Sequence, residues 1–287
     1  IGGSLYDTFE QIQKDLEAGL KLVSDEYYTV PRYHFNVKAA HAFAARFYLY
    51  KREWAKVVEH ADQVLSTTDE TTLSMLYDAQ TGRDASNIEL AFLHYIDPQE
   101  PSNLLINTTM SSASYALFPS YGRYQHNGDF SGGGSGPCWT GQFPGFGYWS
   151  ADQKLGGFVA KAYYLFEYTD KVNGYGYVHG VNRAFTTNET LLCRAEAKVY
   201  LNDLAGATND FRLWCQGYNV NGRMSMLPDS TVDLTQEKIV KFYGDKVGTK
   251  FAPTLHNLDM DAAWSITPAQ MPFVHCAIQF RRIYGLH

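Results

Sequence analysis

No stretch of this sequence approaches the roughly 18 consecutive apolar residues that a membrane-spanning helix needs. No long run of Lys or Arg occurs, and the net charge is −6, which argues against a nucleic-acid partner because phosphate contact needs basic patches. Cysteine is scarce. The four residues at 138, 193, 215 and 276 form no CxxC, so neither a zinc ribbon nor a thioredoxin-type motif is supported. Cys193 and Cys215 fall in helical stretches, where buried free thiols are the commoner outcome. The phosphate-cradling patterns GxxxxGK[ST] and strand–GxGxxG–helix are missing, as are HExxH and the GxSxG nucleophile elbow. The nine histidines are scattered, so neither metal nor cofactor is expected. The chain opens on Ile1-Gly2-Gly3, with no initiator Met or signal peptide, and stops just after the apolar run before Gly285. Both ends read as those of a fragment of a longer protein.

What is present is a folded-protein composition, with hydrophobic residues at 45% and charged residues at 19%. Aromatic residues make up 15%, led by 21 Tyr and 17 Phe. Tyr combines a flat apolar face with a polar tip, which suits it to amphipathic ligands as well as to cores.

A helix-core pattern occurs twice. Trp54, Val57, Ala61, Val64 and Leu65 line up with Leu204, Ala207, Phe211, Trp214 and Cys215, and Tyr50 lines up with Tyr200. Spacings of three and four define one helix face. Asn36 can cap a helix through the small residues at 39, 40, 42, 44 and 45, Lys51-Arg52-Glu53 turns the chain, and Trp54 opens a partner helix to about Leu65. The second copy is expected to start at a capping Asn188, turn at Asn202-Asp203 and resume at Leu204. Helix pairs of this kind resemble tetratricopeptide units of about 34 residues. Two such units cannot bury a continuous face alone, so other helices must complete the core. One is a helix capped by Ser4 or Asp7 with the stripe Phe9, Ile12, Leu16, Leu20 and Val23. Others are expected through Ile239 and Phe242 and from Thr267 to Ile283. The fold expected is mostly α, a tetratricopeptide-like helical frame with a long loop-rich insert containing short strands. It reads as one domain over 1–287, with the frame in 1–66 and 188–217 and the insert in 90–187. The two pairs are expected to support the core or dock a partner, each against a different neighbour.

In the insert, Leu90 to Ile96 reads as a short strand or buried run. Phe158 to Tyr168 and Tyr175 to Phe185 read as extended segments turned by Asp170 to Gly174, a hairpin. The stretch between Tyr115 and Trp149 holds Ser131-Gly132-Gly133-Gly134-Ser135-Gly136, which cannot be helix or strand interior, amid many aromatic residues. Sugars present C–H faces that stack on rings and hydroxyls that need polar partners. Trp139, Trp149, Tyr148, Tyr124 and Phe146 supply the first; Asn127, Asp129, Arg123 and Gln142 supply the second. The alternative is an aromatic mini-core that pins the loop, in which case Trp139 and Trp149 would be buried. A glycosidase would need two facing carboxylates, and Asp129 and Asp152 are the pair to propose. No catalytic residue is assigned.

The phrase Asn36-Val37-Lys38-Ala39-Ala40-His41-Ala42-Phe43-Ala44-Ala45-Arg46-Phe47-Tyr48-Leu49-Tyr50, followed by Glu53-Trp54-Ala55-Lys56-Val57, resembles the first helical repeat of the SusD-like (RagB) family. The opening Tyr6-Asp7-Thr8-Phe9-Glu10-Gln11-Ile12 is similar as well. So is Leu191-Leu192-Cys193-Arg194-Ala195-Glu196-Ala197, beside a family helix reading roughly LLxRAEA. The resemblance covers about 1–66 and 158–217, and the insert matches much less well. It implies a non-catalytic protein, lipid-anchored on the outer face of a Bacteroidetes outer membrane, that passes oligosaccharide or polysaccharide to a SusC-like TonB-dependent transporter. The family's lipobox cysteine is not in this chain, so the anchor would lie outside it. A peptide-binding member of the family and a helical protein-interaction scaffold are the alternatives.

Overall fold

In the computed structural model the described residues are 4–76, 88–110, 135–139, 164–217, 232–246 and 266–286. They are mostly helical, with one three-stranded sheet. Helix α1 (Leu5–Gly19) starts in a capping box, in which Ser4 accepts from the Asp7 N–H and Asp7 accepts from Ser4. Its stripe is shallow: Phe9, Leu16 and Leu20 are half-buried against the core, and Ile12 is exposed. Asn36 caps α2 (Val37–Lys51), and the alanines at 39, 40, 42, 44 and 45 are buried, which lets neighbouring helices approach closely. Arg52 adopts a left-handed φ of 65°, ends α2 and delivers α3 (Trp54–Val64). The second pair repeats this. Asn202, φ 63°, separates α6 (Thr187–Tyr200) from α7 (Leu204–Gly217).

The pairs pack on each other, not on separate neighbours: α3 lies against α6, and Trp54 stacks on Tyr200 with centroids 4.2 Å apart. This explains why the aligned Tyr50 and Tyr200 differ. Tyr200 is covered by the first pair, while Tyr50 is 74% exposed. Short α4 (Asp69–Ser74) rests on α7, and α8 (Gln236–Gly244) rests on α9 (Met271–Leu286), which also packs on α6 and α7. These helices complete the core that two pairs alone could not close. Helix α9 starts four residues later than the sequence pattern suggests, because Thr267 accepts from the Gln270 N–H in a preceding turn.

Two further expectations are corrected. The apolar run from Leu90 lies in a helix, α5 (Ile88–Tyr95), not a strand. The cap of α6 is Thr186, not Asn188: Thr186 Oγ1 accepts from the Glu189 N–H at 3.2 Å, and Asn188 is buried in the first turn. Thr186 is also the last residue of a strand, so the sheet feeds straight into the central helix. That sheet has the order β1 (Asn103–Thr109), β3 (Tyr175–Thr186), β2 (Tyr164–Asp170), all antiparallel. The expected hairpin is present as β2 and β3, and residues 158–163 lie outside the described residues. Asp170 accepts from the N–H groups of Val172 and Asn173, and Gly174 takes a φ of 72°. Gly176 faces Glu167 so closely that a Cβ would fall 2.0 Å from its carbonyl oxygen.

The LLxRAEA-like helix holds the frame together. Leu191, Leu192, Ala195 and Ala197 are core residues. Arg194 is buried and makes a two-pronged contact to Asp210 (3.0 and 2.8 Å), with further bonds to Asp62 (2.8 Å) and the Ser66 carbonyl (3.0 Å). Lys198 reaches the same Asp210 at 2.9 Å, and Glu196 accepts from Arg281.

Candidate functional site

The aromatic loop joins the frame at residues 135–139. The Gly136 N–H donates to the Trp139 carbonyl at 3.0 Å, closing a tight turn. The Trp139 ring folds back over Gly136 so closely that a Cβ there would fall 2.1 Å from it. Gln279 of α9 donates to the Ser135 carbonyl at 2.9 Å, and Tyr243 of α8 donates to Gln279 at 2.6 Å. The Cys138 thiol sits 3.9 Å from that of Cys215, on α7. Burial pushes the Cys215 thiol well above its usual range, so it stays protonated.

Trp139 therefore corrects an expectation. Read as an open stacking platform, it is 4% exposed and packs on Phe280 with centroids 5.6 Å apart, beside Trp214 and Phe211. No face of the ring is left for a sugar. Sequence shows a tryptophan in a glycine-rich loop; the turn that aims it inward needs the three-dimensional path of Ser135–Trp139. The other expected contacts, Trp149, Tyr148, Tyr124, Phe146, Asn127, Asp129, Arg123 and Gln142, lie outside the described residues, as does Asp152.

A concavity among the described residues escapes the sequence reading. A groove of about 300 Å³ opens between the segment holding Asp25, Arg32 and Lys38 and the one holding Pro98, Gln99 and Leu104. Its walls are fixed by backbone contacts. Asp25 accepts from the Val37 N–H at 2.8 Å, and the Asn36 amide donates to the carbonyls of Leu104 (2.7 Å) and Pro31 (3.0 Å). Arg32 donates to the Pro98 carbonyl. No three His, Cys, Asp or Glu side chains cluster as a metal site among the described residues.

A family model described as SusD-like, starch-binding associating with outer membrane, matches residues 3–49. That segment is α1, the Pro31–Tyr33 turn and nearly all of α2, the part of the frame that builds one wall of the groove. Over residues 3–49 the chain is similar to the SusD-like family. No curated protein matches it. Among solved structures it is similar to a SusD-like carbohydrate-binding protein from Bacteroides vulgatus, with 17% identity and a TM-score of 0.44 over 84% of this chain and 48% of that one. It is also similar to a SusD-like protein from Bacteroides fragilis, with 12% identity and a TM-score of 0.44 over 97% of this chain and 61% of that one. The chain thus spans about half to three fifths of the length of these SusD-like structures.

Proposed function

We propose that this SusD-like chain belongs to a non-catalytic glycan-binding protein at the outer-membrane surface, which hands oligosaccharide to a SusC-like TonB-dependent transporter. The observation that carries this reading is the match of residues 3–49 to a family described as starch-binding and outer-membrane-associated. Consistent with attachment by other means than a helical span, no helix among the described residues is long and apolar enough to cross a membrane. The ligand would sit on the aromatic loop, with Tyr148, Trp149, Tyr124 and Phe146 stacking on sugar rings and Asn127, Asp129, Arg123 and Gln142 meeting hydroxyls. Trp139 instead anchors the loop. The burial of Trp139 also favours a second reading, a helical scaffold for a partner protein in which the loop's rings are all core.

A glycan array probed with the intact protein, followed by affinity measurements on Tyr148→Ala and Trp149→Ala, separates the two. Glycan binding with a loss of about tenfold per ring supports the loop site, each ring contributing on the order of 1 kcal/mol. Retention of full affinity in both variants removes the loop from the site, and an array with no glycan bound leaves the scaffold reading.

A further inference from the structure

We propose that the groove between residues 25–38 and 98–104 is a carboxylate subsite, and that on a glycan ligand it receives the carboxylate of a uronic acid residue. The glycan reading above supplies only the carrier; the carboxylate preference stands on the groove itself. Two cations line it, Arg32 and Lys38. The Arg32 guanidinium is fixed at one terminal nitrogen by the Pro98 carbonyl, and its other N–H groups donate to no atom of the described residues. Asp97 and Glu100 act on it only through space, without an ion pair. Among the described residues, the Lys38 ammonium has neither ion pair nor hydrogen bond. Partial desolvation first, and the Arg32 charge second, hold its ammonium below the ordinary lysine value.

Two like charges brought together at one concavity, neither neutralised in contact, are a cost that an incoming anion would relieve. Asn36 is spent on Ala39, Leu104 and Pro31, and Asp25, the one carboxylate of the lining, accepts from the Val37 N–H at one oxygen and forms no ion pair with either cation among the described residues. Thr29 and Gln99 stand at the same groove and can meet hydroxyls beside the carboxylate. The volume, about 300 Å³, lies at the small end of ligand pockets and suits a sugar-sized group.

The test is calorimetric titration of the intact protein with short oligogalacturonides and oligoglucuronates, each against its methyl ester, which keeps the sugar and removes the charge. The acid should bind about tenfold or more tightly than its ester, the worth of one charge-assisted hydrogen bond. Lys38→Met should remove that preference with the unfolding midpoint unchanged, and Lys38→Arg should restore it. Equal affinity for acid and ester, no acid binding, or an unchanged preference in Lys38→Met overturns the proposal. The loop reading fails separately: if Tyr148→Ala and Trp149→Ala bind normally while Lys38→Met loses acid preference, the groove stands and the loop does not.

Discussion

Arg194 shows how much one residue decides here. Its side chain is 6% exposed and its principal partner, Asp210, 1%, so both charges have left water and each depends on the other. Removing one member of such a pair strands a buried charge, which costs about 3–5 kcal/mol. Asp210→Ala should therefore lower stability by that amount in urea unfolding, since it strands Arg194 and takes an acceptor from Lys198 as well. Asp62→Ala should cost about 1 kcal/mol or less, because Asp62 is 35% exposed and Arg194 keeps Asp210. Equal losses in the two variants would show that the network, not burial, sets the energy. Arg194 was recognisable in sequence as part of an LLxRAEA-like phrase, but its partners were not: Asp210 and Asp62 come from two other helices.

At the scale of elements, the seam between α2 and α3 carries a titratable pair. His41 and His60 face each other with Nδ1 atoms 3.0 Å apart, one donating and one accepting, and His60 stacks on Tyr48. Desolvation lowers the pKa of both, and for His60 the His41 charge adds to it. Glu59 opposes the shift for both, Glu17 of α1 opposes it for His60, and Lys56 reinforces it for His60. A histidine depressed in the folded state binds fewer protons there than when unfolded. Stability is then full above the unfolded value of 6.5 and falls as the pH drops below it. Urea midpoints should decline from pH 7 to pH 5 more steeply in the native protein than in His60→Gln. Parallel declines would remove the pair from the explanation. The same elements show what sequence could and could not display. The β2–β3 hairpin was readable because Asp170 and Gly174 mark its turn and its strands are rich in aromatics. The run at Leu90 was too short and too uniformly apolar for its period to separate helix from strand. The α6 cap was misplaced by two residues because Thr186 serves a strand and a helix at once.

Across the whole molecule, the chain builds a contiguous helical stack from segments that sequence keeps far apart. The aligned patterns at 54–65 and 204–215 identified the units but not their contact, since a repeat reports likeness and says nothing of adjacency. That contact decides stability: Val57, Ala61 and Val64 of α3 are fully buried, and α6, against which α3 packs, supplies much of the cover. Fewer than about three stacked units do not hold themselves. A fragment of residues 1–76, which keeps α1 to α4 and loses α6, should therefore show no cooperative thermal transition and little amide dispersion by NMR. The intact chain should unfold in one step, with the same midpoint whether followed by tryptophan fluorescence or by far-UV circular dichroism. The tryptophans of the described residues report on the seams, through Trp54 on Tyr200 and through Trp139 and Trp214 around Phe280, while circular dichroism reports on all the helices. A sigmoidal transition in the fragment, or two separated midpoints in the intact chain, would mean that each helix pair folds on its own. In that case the Trp54–Tyr200 seam would join two finished units instead of completing one.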